Sequence, residues 1–277
     1  MPDFMKVNGI NISYEIQGNE KGEPLILVSG WCLKKEMWIA QLKQLGGRFK
    51  LITFDNRGCG KSDRPDMHYT LEMGANDIAG LMDHLKIEKA NLMGYALGAM
   101  ILTRFALKYA DRVKKLVLLN TAASFSNDEL IKNIMVVNSK ALDFQQNAPE
   151  KYFMRSAVMA FHEDFIKELE ANHHKRFHEL WTVAEWVKEY SIDPMTPKDV
   201  ENQGSAMLGM KLINEINQIK AETLIIGGSH NKIHPKEGMI AMHEKMPNSQ
   251  LEILQNAGDM TYLSRAPEIN KLVLEFL

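Results

Sequence analysis

The chain has 277 residues, 45% hydrophobic and 25% charged, with a formal net charge of −2. Such a length and composition fit one large α/β domain that buries its own core, and the charge balance excludes an electrostatic grip on nucleic acid or an anionic membrane. Cys32 and Cys59 are the only cysteines, too few for a disulfide framework, so a cytoplasmic location is expected; the N-terminus has no signal-peptide pattern, and no apolar run reaches membrane-spanning length.

In chain order, "INISYEI" alternates apolar and polar residues and reads as an edge strand. "PLILVSG" and "FKLITFD" are short continuous apolar runs, as expected of strands buried on both faces. "LEMGANDIAGLMDHL" has helical spacing, with Ile78, Leu81, Met82 and Leu85 on one face. "KANLMG" is a strand, "ALGAMILTRFALKYA" a helix and "VKKLVLLN" a strand. From about residue 122 to 219 no strand pattern appears. Three stretches there, "FSNDELIKNIMVVNSKALDF", "PEKYFMRSAVMAF" and "HKRFHELWTVAEWVKEY", read as helices. "AETLIIGG" and "SQLEILQ" are strands, and "APEINKLVLEFL" closes the chain as a helix with Pro267 in its first turn. Strand–helix alternation predicts an α/β fold: a mostly parallel sheet with helices on both faces. Residues 1–121 and 220–277 form the expected core, and 122–219 a helical cap inserted over one end of the sheet.

Two glycine-rich stretches invite a chemical reading. "FDNRGCGKSD" contains Gly60-Lys61-Ser62 after a strand, but Asp55 stands where a phosphate loop needs glycine. Asp63 occupies the third glycine position of a dinucleotide motif, so a tight structural turn is expected and no nucleotide cofactor. "MGYALGAM" places Gly94 and Gly98 around Ala96 between a strand and a helix, the form of a nucleophile elbow with no attacking oxygen at its centre. His173, His174 and His178 were weighed as metal ligands. His174 and His178 share a face if the segment is helical, but Lys175 breaks any HExxH pattern and no third ligand is visible, so no metal is expected.

Taken together, "LILVSGW", "FDNRGCGKSD", "MGYALGAM", "LIIGGSHNKIHP" and "NAGDM", in this order and spacing, resemble the α/β-hydrolase superfamily, in particular its small esterase, enol-lactonase and carbon–carbon hydrolase branch. The resemblance implies an eight-stranded sheet with a helical cap. It puts the nucleophile at Ala96, the acid at Asn231 and the base at Asp259, so all three triad positions are replaced. Ala96 forms no acyl-enzyme, Asn231 brings no negative charge to an imidazolium, and Asp259 lacks the near-neutral pKa of histidine. The oxyanion hole implied by the family would use the backbone N–H groups of Trp31 and Leu97, with Ser29, Cys32, Tyr95, His230 and Met260 lining the pocket. His230 and His234 flank Asn231 on a loop; either enters the site if the loop is rearranged, although solvent-facing side chains are the ordinary outcome there.

The expected role is binding of a small apolar carbonyl compound, or non-nucleophilic chemistry based on Asp259. The alternative is a serine-type hydrolase inactivated by substitution of its triad.

Overall fold

In the computed structural model, which describes every residue except Met1, Ser126 and His173, eight strands form one sheet. They are β1 Asp3–Val7, β2 Ile10–Gly18, β3 Pro24–Val28, β4 Lys50–Phe54, β5 Ala90–Tyr95, β6 Val113–Leu119, β7 Glu222–Gly228 and β8 Ser249–Leu254. Their order is β1-β2-β4-β3-β5-β6-β7-β8, with β2 antiparallel to β1 and β4 and every other pair parallel. The helices are α1 Ile39–Leu45, α2 Leu71–His84, α3 Leu97–Lys108, α4 Asp128–Asn147, α5 Pro149–Ala160, α6 Glu163–Asn172, α7 Val183–Lys188, α8 Pro197–Gly204, α9 Lys236–Lys245, α10 Thr261–Ser264 and α11 Ala266–Phe276. Among the described residues no helix is long and apolar enough to cross a membrane.

Side-chain alternation along the central strands divides the core. Ile26, Val28 and Leu92 join α2 and α3 in one apolar cluster, whereas Leu25, Leu27, Met93 and Tyr95 join α1 and α11 in another. Strands covered on both faces favour apolar residues on both sides, which is why β3 and β4 read as nearly continuous apolar runs. "INISYEI" is not the edge: β1 pairs outside it, and the two form a hairpin through Asn8 and Gly9. Both turn residues have positive φ, 49° and 82°, the backbone a two-residue hairpin with this twist requires.

α4 to α8 lie between β6 and β7. α4 sends Ile131 and Met135 into the cluster that holds Leu97, and α5 and α7 send Phe153 and Trp186 into the one that holds Trp38 and Tyr262. The third predicted helix of this region differs. Residues 174–182 form turns, with Phe177 bridged to Trp181 and left-handed backbone at His178 and Glu179, and helix resumes at Thr182 with a capping box. Phe177 and Trp181 are fully buried against Phe165, and burying two large rings from one short segment outweighs local helix propensity. His174 and His178 therefore share no helix face, and His173 lies outside the described residues.

The turn after β4 is fastened from below. Buried Asp55 accepts from the backbone N–H groups of Lys35 (2.9 Å) and Lys61 (3.1 Å). Arg57 makes a two-pronged ion pair with Asp77 of α2 at 2.6 and 2.7 Å, and Asn8 donates to the same carboxylate. Removing one member of a buried ion pair strands the other charge. Asp77→Ala should lower stability by about 3–5 kcal/mol, read as a lowered denaturant midpoint in urea unfolding; an unchanged midpoint would show that the pair carries no net stability.

Candidate functional site

The carboxyl ends of β3, β5, β6, β7 and β8 bring the expected site residues together. β5 ends at Tyr95 and α3 begins at Leu97, leaving Ala96 alone to turn the chain, with φ 49° and ψ −116°. This sparsely populated region costs an L-residue about 1–3 kcal/mol. The surroundings impose it: Ala96 N–H donates to Leu119 O at 3.0 Å, and Thr121 Oγ1 donates to Ala96 O at 3.2 Å. The flanking glycines allow α3 to lie against the sheet, since a Cβ on Gly98 would sit 2.2 Å from Val28 O and one on Gly94 2.7 Å from Ala99 N. The strained turn is present with a methyl group at its apex.

Asp259 is the centre of the site. It lies on the loop after β8, 2% exposed, with its backbone N–H and that of Met260 both donating to Ala160 O at the end of α5. Its carboxylate accepts from three side chains. Tyr95 Oη donates to Oδ2, Asn231 Nδ2 donates to Oδ1 at 2.8 Å, and His234 Nδ1 lies 2.9 Å from Oδ1. Burial and the neighbouring Asp259 charge push the Tyr95 phenol well above its usual range, so it remains a donor.

Asn231 serves two purposes. Its Oδ1 accepts from the backbone N–H groups of Ile233 (2.9 Å) and His234 (2.8 Å), closing the turn after β7, while its amide faces Asp259. A carboxylate at 231 would close the same turn but set two negative charges within hydrogen-bond distance. The residues at 231 and 259 are therefore matched to each other. Asn120, at the end of β6 with φ 42°, ties the loops together. Its Oδ1 accepts from Gly228 N–H and Asn231 Nδ2, and its Nδ2 donates to Asp259 O and to Thr261 Oγ1.

The remaining expected residues scatter. Ser29 is fully buried and donates to Lys34 O at 3.1 Å, away from any pocket wall. Tyr95 is enclosed by Tyr262, at a ring separation of 4.7 Å, and by its bond to Asp259. His230 is exposed, with its ring against His162 and its Nδ1 2.8 Å from Ser229 Oγ. Its neighbour His234 turns inward instead, 8% exposed, because the Asn231-closed turn carries residue 234 back over the Asp259 loop. Met260 is half-buried. Leu97 opens α3, so its N–H belongs to the helix's unpaired first turn. Trp31 stands on a turn closed by Leu33 N–H to Gly30 O, and its indole donates to Val200 O. Cys32 lines a cavity of about 50 Å³ between this turn and the cap, whose wall includes neither Ala96 nor Asp259.

Asn120 was the partner that sequence reasoning missed, whereas of the two histidines flanking Asn231 it is His234 that enters the site. A polar residue closing an apolar strand was the available signal for Asn120, and the three-residue step from Asn231 was the signal for His234.

The raised pKa of Tyr95 has a pH consequence. Its stabilising contribution is fully present below pH 10, the usual phenol value, and is lost as pH rises toward the higher folded-state value, because the unfolded chain ionises first. Tyr95→Phe should lose about 1–2 kcal/mol at pH 8 and show a shallower fall in stability above pH 10 than the parent; parallel pH curves in urea unfolding would refute this.

Relatives of known name can be set beside this geometry. A protein of Synechocystis sp. provisionally named a non-heme chloroperoxidase is 28% identical over 277 residues, covering 97% of this chain and 95% of its own length. The 2-hydroxymuconate semialdehyde hydrolase of a Pseudomonas species is 25% identical, covering 92% and 87%. The solved structure of the enol-lactonase from Burkholderia xenovorans superimposes with a TM-score of 0.82 over 99% of both chains, at 23% identity. The family model for the alpha/beta hydrolase fold matches residues 23–266. With that match spanning β3 to β8, the strained turn and the Asp259 loop, the chain belongs to the alpha/beta hydrolase fold family.

Proposed function

We propose that this member of the family binds a small, largely apolar carbonyl compound and performs no serine-type hydrolysis. The observation that carries the reading is the occupied carboxylate of Asp259 beside an elbow that ends in a methyl group. Each carboxylate oxygen already accepts from a buried side chain. Three of the roughly four acceptor positions of a carboxylate are thereby engaged by buried side chains, which places it poorly for taking a proton from a substrate. Binding is therefore favoured over chemistry based on Asp259. The matched pair Asn231–Asp259 also argues against a hydrolase silenced by a single replacement, since the site is rebuilt around its new residues.

The receptive parts of the fold support a carbonyl ligand. The N–H of Leu97 at the start of α3 and the N–H of Trp31 are the donors a polarised oxygen would meet, reinforced by the positive end of the helix. The names of the relatives, a lactonase and a semialdehyde hydrolase, describe ligands with a carbonyl group.

The test is direct. A fluorophosphonate probe should label no residue, and hydrolysis of an ester and lactone panel should match buffer alone. Ala96→Ser should remain as inert as the parent, because a serine without a proton acceptor gains little of the roughly 10⁶-fold contribution of a working triad. The same panel should raise the melting temperature in a concentration-dependent way for at least one carbonyl compound. Labelling of the parent, or turnover by Ala96→Ser above about 1% of a serine-hydrolase rate, would overturn the proposal.

A further inference from the structure

Asp259 has one partner to which binding alone gives no task. His234 Nδ1 lies 2.9 Å from Asp259 Oδ1, in a pair whose side chains are 9% and 3% exposed. Both members are held in place. The His234 backbone N–H donates to Asn231 Oδ1 at 2.8 Å, and Pro235, the next residue, leads directly into α9. The carboxylate is held by Tyr95 Oη and by Asn231 Nδ2 at 2.8 Å. An ionised carboxylate only accepts, so the proton shared by the pair belongs to Nδ1, and the lone pair of the neutral ring belongs to Nε2. Nε2 meets no hydrogen-bond partner among the described residues and is not one of the polar atoms sealed from water. A buried carboxylate thus fixes an imidazole and leaves its basic nitrogen open. The pair stands at the same sheet edge as the elbow, since Asp259 Oδ2 accepts from Tyr95, two residues before Leu97 opens α3.

We propose that His234, positioned by Asp259, is a general base that removes and returns an α-hydrogen of the bound carbonyl compound. The inference rests on the carbonyl-binding reading above. In the step an α C–H bond breaks and an N–H bond forms at Nε2. The bonding pair moves into the carbonyl system, giving an enolate beside an imidazolium. The enolate oxygen meets the N–H groups of Leu97 and Trp31, and the Asp259 carboxylate faces the imidazolium at Nδ1. Reversal returns a proton to carbon, so the charges cancel and no oxidant, reductant or water is consumed. Proton exchange needs no nucleophile, so the methyl group at residue 96 is no obstacle to it. Asp259, with three side chains donating to it, is the positioning residue and not the base.

The experiment follows α-hydrogens in D2O by proton NMR with the full chain, for phenylacetone and for each ester or lactone that raises the melting temperature. The parent should exchange the α-hydrogens of at least one of them about 100-fold faster than an equal concentration of free imidazole. His234→Gln should lose that excess while the same compound still raises its melting temperature. A readout that needs no ligand accompanies these. The ring nitrogen-15 signals absent from His234→Gln should show a neutral ring in the parent that is protonated at Nδ1 and bare at Nε2, and Asp259→Asn should both slow exchange and mix the two tautomers. Stabilisation of the parent without faster exchange overturns this inference and leaves binding intact, whereas no stabilisation by any of the compounds overturns both. Unchanged exchange in His234→Gln, or a proton on Nε2 in the parent's neutral ring, also overturns it.

Discussion

A carboxylate removed from water must be given back its hydrogen bonds, and the arrangement of this site follows from how Asp259 obtains them. Its three donors come from two parts of the chain: Tyr95 from the end of β5, and Asn231 and His234 from the loop after β7. An uncompensated buried charge costs several kcal/mol, so none of these donors is free to vary alone. Asn120 extends the constraint to the end of β6 and to Thr261, and Ala160 O extends it to the end of α5 in the cap. Four strand ends and the end of α5 are thereby joined through a single residue, by its carboxylate and its backbone.

The imidazole and the carboxylate occupy exchanged places. The family places its acid on the loop after β7 and its histidine on the loop after β8; here His234 stands after β7 and Asp259 after β8, at 2.9 Å. The exchange preserves a compact hydrogen-bonded pair between the two loops, and with it the loop packing. Asn231 follows from the same electrostatics, closing its turn as aspartate would while adding a donor instead of a second negative charge. The strained turn at Ala96 persists because Gly94, Gly98 and the Leu119 bond set its geometry, not because chemistry demands it.

Much of the fold was legible. The apolar-rich runs at 24–28, 50–54, 90–95 and 113–119 are strands whose buried positions are covered by the flanking helices, and "LEMGANDIAGLMDHL" is a helix because its apolar residues share one face. Local reading failed where a distant partner decided the outcome. β1 escaped notice because "DFMKV" has a weak alternation that only pairing with β2 stabilises, although Asn8-Gly9 marked the hairpin. Residues 174–182 carry helix-forming side chains yet turn instead, since Phe177 and Trp181 gain more from burial against Phe165 than from a continued helix.

The sequence by itself determined the family, the strand–helix alternation, and the identities at 96, 231 and 259, because each is written in local pattern or in a motif of fixed spacing. Only the tertiary structure decided that Asp259 meets three buried side chains, that His234 and not His230 turns inward, that Tyr95 is a donor, and that Cys32 and Cys59 share a wall. The reason is physical. A residue's type records what it can donate or accept, whereas its partners are set by which loops the sheet order brings side by side, and those loops here lie 25 to 164 residues apart along the chain.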